Sequence, residues 1–193
     1  KMRMPGLGGR TIGKLGATAV LMGGPDILTS LASGAIDAAE WICPIADLGL
    51  GMHQAAKFYY GPGWHEPSTL LDLSIDLKEW EGLDADTQAL MMEMAKAFNV
   101  DVFSRFQALN GPALGKLLNE HGVQLKTFPD ELLIALGNAA GEVMEERGSI
   151  NSQTKAICNH LLSFRKNIMD WSTKGESEFA RIRNLPFKFP DSV

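Results

Sequence analysis

Short apolar clusters alternate with glycine-bounded amphipathic stretches along the first part of the chain. "KMRMP" reads as a short strand, "GLGGRTIGKLG" as an amphipathic helix despite its glycines, and "ATAVLMGG" as a buried strand. "GPDILTSLASG" predicts a short helix with Asp26 in its first turn and Gly34 as its stop, and "AIDAAEWI" a further strand. Strands and helices taking turns in this way predict βαβ units and a largely parallel sheet. "PIADLGLGMHQAAKF" returns to helical spacing and leads into the aromatic segment "KFYYGPGW".

After Pro67 the period changes. Leu71, Leu73, Ile75 and Leu77 alternate with Asp72, Ser74, Asp76 and Lys78, predicting a long strand over 68–80 with one solvated face, suited to a passage between two lobes. From "LDADTQALMMEMAKAF" onward the pattern is helical. Asp84 is placed as N-cap, and Leu90, Met91, Met94, Ala97 and Phe98 share one face that reads as core. The helical pattern runs to about Gly122, with "NGP" at 110–112 as a bend. A short strand, "VQLKTFP", and a helix from Asp130 to near Gly148 come next. A last long helix is expected from about Asn151 to Asn184, followed by an extended tail. An α/β half thus precedes a helix-rich half, and no linker separates them.

Composition narrows the function classes. The net charge of −5, with Lys and Arg scattered and no basic run longer than two residues, argues against nucleic acid as a partner. Stretches such as "ATAVLM" are far too short to span a bilayer. The chain opens on "KMRMPGLGG" with no hydrophobic signal core, as if a preceding segment had been removed. Cys43 and Cys158 have no metal-ligand spacing, and buried free thiols are expected rather than a disulfide.

Catalytic and nucleotide-binding signatures are missing. "GLGGRTIG" lacks the spacing of a dinucleotide loop, and neither a phosphate-binding G-x-x-x-x-G-K-[ST] nor a G-x-S-x-G occurs. His53, His65, His121 and His160 are scattered, so a zinc site is not expected. What stands out is a pair of acids beside indoles: Glu40 in "AAEWICP" and Glu66 in "GPGWHEP". Buried carboxylates are costly without a partner, and on the residues alone a general-acid role stays open for either. Read as a strand, "WHEP" sends His65 and Glu66 to opposite faces. Arg3 lies on the first strand, at the mouth of the expected parallel sheet, with its apolar neighbours Met2 and Met4 facing the opposite way. A guanidinium there suits forked recognition of a carboxylate, and a plain surface strand arginine is an equal reading.

"RMPGLGG", "LASGAIDAAEW", "AAKFYYGPGWHEP" and "LDADTQALM", in this order, closely resemble the substrate-binding proteins (DctP type) of tripartite ATP-independent periplasmic (TRAP) transporters. The resemblance runs over essentially the whole chain. The segment G-x-[IV]-D-[AG]-x-E marks the superfamily, and "EW…YYGPGWHEP" marks the subgroup that binds α-keto acids, often associated with mannitol or chloroaromatic compounds. It implies a periplasmic-binding-protein-like α/β fold of two lobes, with hinge-crossing strands and long C-terminal helices. The chain matches only the C-terminal portion of such proteins. Most of the first lobe, the secretion signal and a glutamine that assists the metal have no counterpart in it.

Carried over residue by residue, the resemblance gives Arg3 the substrate carboxylate and gives Glu40 and Glu66 a cation lying against the substrate. Trp41 supplies a backbone carbonyl to that cation and an aromatic wall, and Trp64 and His65 flank the pocket. Sodium or calcium is the implied ion, since oxygen ligands suit hard cations. The lobe assignment is 1–39 in the second lobe, 40–70 in the first lobe and hinge crossing, 71–148 in the second lobe with the long helix, and 149–193 as C-terminal helix and tail, a dimerisation element. The implied function is periplasmic capture of a small organic acid, a 2-oxo acid, for a TRAP permease, without chemistry. A metal-assisted enzyme acting on a keto acid, or a fragment that has lost binding, are the alternatives.

Overall fold

Three two-residue strands set the frame: β1 (Met2–Arg3), β2 (Ala19–Val20) and β3 (Ala38–Ala39). They pair in parallel in the order β2–β1–β3, with Arg3 in register with Val20 on one side and Ala39 on the other. Parallel neighbours need crossovers, here helices α1 (Gly6–Lys14) and α2 (Gly24–Ala32). The computed structural model describes residues 1–66 and 72–188. The βαβ reading of the N-terminal part therefore holds, and α2 stops as expected, with Ser33 as C-cap and Gly34 just beyond it in the left-handed region at φ 73°. β2 is shorter and less buried than its apolar sequence suggests. It is the edge of this sheet, and Leu21 just beyond it is 78% exposed.

The core under the sheet is small. Met4, Ile12 and Leu136 are buried together, with Met2 and Trp64 packed against them. Ile27 of α2 is fully buried, a contribution of about 1.5–3 kcal/mol for one side chain. Helix α1 reaches this core only because Gly9 lacks a side chain. A Cβ there would lie 2.5 Å from the Met4 carbonyl oxygen, which is main chain and cannot swing aside.

Helix α3 (Pro44–Gly49), a 3₁₀ turn (Met52–Gln54) and β4 (Phe58–Tyr60) follow. β4 pairs in parallel with β5 (Gln124–Lys126), and the ribbon is extended by Gln124 N–H donating to the Lys57 carbonyl (2.8 Å) and Gly61 N–H to that of Lys126 (3.0 Å). The expected strand over 68–80 is not what forms. Residues 67–71 lie outside the described part, 72–76 have no regular structure, and Leu77–Glu81 is helix α4. Asp76 caps it, accepting from the N–H groups of Lys78 (2.9 Å) and Glu79 (3.3 Å). A strand is stabilised by its neighbours, whereas this cap is local, so the alternating pattern loses to it.

Helix α5 (Ala85–Asn119) is roughly 50 Å long at 1.5 Å per residue. Asp84 caps it as expected, accepting from Thr87 N–H at 2.9 Å. It runs through "NGP" without a break, although Pro112 removes one N–H from its ladder. Its buried positions, Ala113 and Leu117, lie just after that proline. The face read as core is not core among the described residues: Leu90, Met94 and Phe98 are 62%, 61% and 64% exposed. Helical periodicity identified the apolar stripe, but nothing described in the chain covers it.

Helix α6 (Asp130–Gly148) follows, and two compact units divide the chain, Lys1–Ala139 and Ala140–Val193. In the second, Asn151 opens α7 (Ser152–Ser172) with a capping box: its side chain accepts from Thr154 N–H (2.9 Å) and its own N–H donates to Thr154 Oγ1 (3.2 Å). A π-helical turn (Thr173–Ser177) joins α7 to α8 (Glu178–Arg183), so the expected last helix is present with one widened turn. Both cysteines are free and half-buried. Gly9→Ala is expected to lower stability by about 1–3 kcal/mol in urea denaturation, because the added methyl must push α1 off the Met4 main chain.

Candidate ligand-binding site at the strand ends

Arg3 closes the central strand, so both neighbouring strands deliver their next residues to its side chain. On the β2 side, Arg3 Nε donates to the Met22 carbonyl at 3.2 Å. On the β3 side, Arg3 Nη1 donates to the Glu40 carbonyl at 3.0 Å and forms a hydrogen-bonded ion pair with Glu40 Oε1. The Glu40 N–H in turn donates to the Arg3 carbonyl at 3.1 Å. Arg3 is 8% exposed, so the reading as a surface strand arginine is wrong. Crevices outside the carboxyl ends of parallel strands are where open α/β sheets bind ligands.

Trp41 follows Glu40 and lays its indole against the guanidinium, 5.0 Å from ring centroid to Arg3 Cζ. The ring fits because Gly24 opens α2 beneath it. A Cβ at Gly24 would lie 2.8 Å from Trp41 Cη2. The other indole, Trp64, faces the core and tilts against the His65 ring at 4.8 Å. His65 Nε2 is 3.8 Å from Glu40 Oε2, while its Nδ1 is buried without a partner among the described residues. Residues 61–66 form no strand, so the alternation expected of "WHEP" does not apply, and His65 and Glu66 both act on Glu40.

Burial pushes the Glu40 carboxyl above its ordinary range; Arg3 and His65 pull it back, and Glu66 pushes it further up. Glu66 itself is exposed. Arg3, Glu40 and Trp41 are thus in direct contact, and Glu66 is joined to them electrostatically. Two carboxylates that repel each other beside a buried site are suitable oxygen donors for a hard cation, which would relieve both the repulsion and the burial cost. Among the described residues no group of three or more His, Cys, Asp or Glu side chains is arranged to hold a metal ion. Glu40 and Glu66 alone would supply only two side chains of a coordination shell, the rest having to come from carbonyl, ligand or water oxygens.

A supporting layer was not read from the sequence. Asp47 of α3, 7% exposed, accepts from Tyr59 OH at 2.5 Å and from Ile42 N–H at 3.3 Å. Ile45 N–H donates to Asn110 Oδ1 of α5 at 3.1 Å. These bonds tie the segment after Glu40 and Trp41 to β4 and α5. The available signal was one acid inside the apolar helix pattern "PIADLGL", an expensive residue to bury without a donor.

A buried arginine with a half-buried carboxylate and indole thus sits at the ends of parallel strands on an α/β scaffold. The chain belongs to the family of bacterial extracellular solute-binding proteins, family 7 (DctP), whose model matches residues 1–149. It is 36% identical over 179 residues to a monocarboxylate 2-oxoacid-binding periplasmic protein of Nostoc sp., covering 93% of this chain and 49% of that one. It also resembles a TRAP solute-binding protein of Pseudoalteromonas atlantica with bound sodium and pyruvate (29% identity, TM-score 0.87, 97% of this chain and 56% of that one). A TRAP solute-binding protein of Bordetella bronchiseptica, a mixed-occupancy dimer with calcium and picolinate in one site, matches at 30% identity and TM-score 0.86, over 95% and 54%. The fold is that of TRAP periplasmic solute-binding proteins over the shared part, mixed α/β and helix-rich, and the chain spans about half the length of these relatives.

Burial raises the Asp47 pKa, while its bonds from Tyr59, Ile42 and Cys43 lower it and so favour the charged form. Tyr59→Phe removes the side-chain donor. With that donor gone the Asp47 carboxyl is pushed further up, so the expected loss, roughly 1–3 kcal/mol, is larger toward neutral pH than in acid. Denaturation curves near pH 7 and near pH 4 read the difference.

Proposed function

We propose that this chain serves as a periplasmic solute-binding protein of a TRAP transporter, taking a small 2-oxo acid together with sodium or calcium and passing it unchanged to a membrane permease. The observation that carries this reading is the buried Arg3 guanidinium, already holding a carboxylate, at the strand ends. In this reading Arg3 takes the acid's carboxylate and the Trp41 indole forms a wall. Glu40, Glu66 and the Trp41 carbonyl face the cation. When bound, the cation supplies positive charge shared between the acid's oxygens and the two carboxylates. Pyruvate and picolinate each carry a donor atom beside a carboxylate, the chemistry that such an arrangement selects.

The family's membership supports a binder rather than an enzyme. No helix among the described residues is long and apolar enough to cross a membrane. In the proposed two-lobed protein, 1–39 and 71–148 serve the second lobe and 40–70 the first lobe and crossing, with 149–193 as the dimerisation element. Ile157, Leu161 and Phe164 are exposed at helical spacing on α7, which supports a dimer through that helix.

Calorimetry with pyruvate and calcium on the full chain tests the binding role. Micromolar binding with pyruvate recovered intact is expected of the two-lobed protein, with severely weaker binding by this chain alone, and conversion of pyruvate would instead favour the keto-acid enzyme. Glu66→Gln, at an exposed position, is expected to leave stability unchanged and to weaken calcium and pyruvate together by about tenfold; no effect on either removes Glu66 from the site. Leu161→Glu is expected to shift the protein from dimer to monomer in sedimentation, and an unchanged mass rules out the α7 contact.

A further inference from the structure

Among the described residues, Arg3 has two of its three side-chain nitrogens engaged, which leaves Nη2 alone for an incoming acid and no free forked edge. Its Nε is committed to the Met22 carbonyl, so a fork through the Nε edge competes with the main chain. A fork through the two terminal nitrogens needs Nη1, which Glu40 holds with both its carboxylate and its carbonyl. The Glu40 carboxylate thus occupies the place on Arg3 that a substrate carboxylate requires. Its second oxygen points to His65, 3.8 Å away and beyond hydrogen-bonding distance. One half of Glu40 is engaged by Arg3 and the other half is available, in a group that burial already disfavours as a charge.

We propose that Glu40 is an internal stand-in for the substrate: it neutralises Arg3 in the empty protein and leaves Arg3 for the cation, freeing the guanidinium for the acid. The inference rests on the function proposed above and adds an exchange to it. A carboxylate on Arg3 and a cation on Glu40 each remove the other's competitor, so the two ligands help each other through the protein as well as through direct contact. The same linkage requires that whatever the cation does for the acid, the acid does equally for the cation. It also explains how a buried arginine is kept paired before ligand arrives, when an unpaired buried charge would be costly.

The exchange has a consequence opposite to that of an ordinary binding residue. In sodium-free, calcium-free buffer (choline chloride with chelator), Glu40→Gln should bind pyruvate about tenfold more tightly than the unaltered protein, because the competitor is gone. With calcium present, the same variant should bind pyruvate more weakly than the unaltered protein. Calorimetry with pyruvate as probe reads both. Equal or weaker cation-free binding by Glu40→Gln, in a protein that binds pyruvate with calcium, overturns the exchange and leaves the function standing. Failure of the unaltered protein to bind pyruvate even with calcium overturns both. Calcium titrated alone gives a second reading should Glu40→Gln not fold: Arg3→Gln is expected to bind calcium about tenfold more tightly than the unaltered protein, and an equal or lower affinity refutes the stand-in role.

Discussion

The ion pair between Arg3 and Glu40 is the constraint on which the rest of the site depends. A guanidinium buried at the end of a strand needs partners for its donors, and an unpaired one would cost several kcal/mol, about 3–5 when a single partner is removed. Three acceptors meet it here: the carbonyls of Met22 and Glu40 and the Glu40 carboxylate. Each arrives because a parallel strand on either side of β1 ends in register with Arg3. The sheet is only two residues deep, yet that depth is sufficient to aim three chain segments at one side chain. The charge balance of the site follows from the same pair, since Glu40 is raised by burial and by Glu66 and held down by Arg3 and His65.

Around that pair, rigidity is supplied by contacts that touch no ligand. Asp47 and Tyr59 join α3 to β4, Asn110 joins α3 to α5, and Gly24 leaves room for the Trp41 ring. The β4–β5 ribbon then carries the chain to Trp64, which seats in the core, and so brings His65 against Glu40. Supports of this kind reduce the ordering that a ligand would have to impose on the surrounding chain.

Local signals were legible wherever a short-range interaction decides the outcome. The cap at Asp84, the start of the last helix near Asn151, the strand–helix alternation before Glu40 and the helix from Asp130 all form as their residues indicate. The failures have a common cause. Alternation from Leu71 to Leu77 describes how a strand would face a neighbour, and Asp76 instead caps a helix that needs none. The stripe of Leu90, Met94 and Phe98 describes a face that wants covering, and its exposure shows that a stripe carries no information about what covers it. The acids beside indoles were legible as a site, but "WHEP" was misread because a loop, unlike a strand, obeys no alternation of faces.

The sequence by itself determined the elements apart from the segment around Leu77, the identity of Arg3, Glu40, Trp41 and Glu66 as candidates, and a specific family resemblance. All of these rest on residues within a few positions of one another or on motifs read in order. Only the tertiary structure decided that Arg3 is buried rather than surface, that its first partner is Glu40, and that His65 and Glu66 converge on the same carboxylate. Those facts depend on strand register and burial. Arg3 and Glu40 lie 37 residues apart, and their contact is set by how far each parallel strand runs before the chain turns away. A linear pattern contains no such length, because it emerges from packing α1 and α2 onto the sheet.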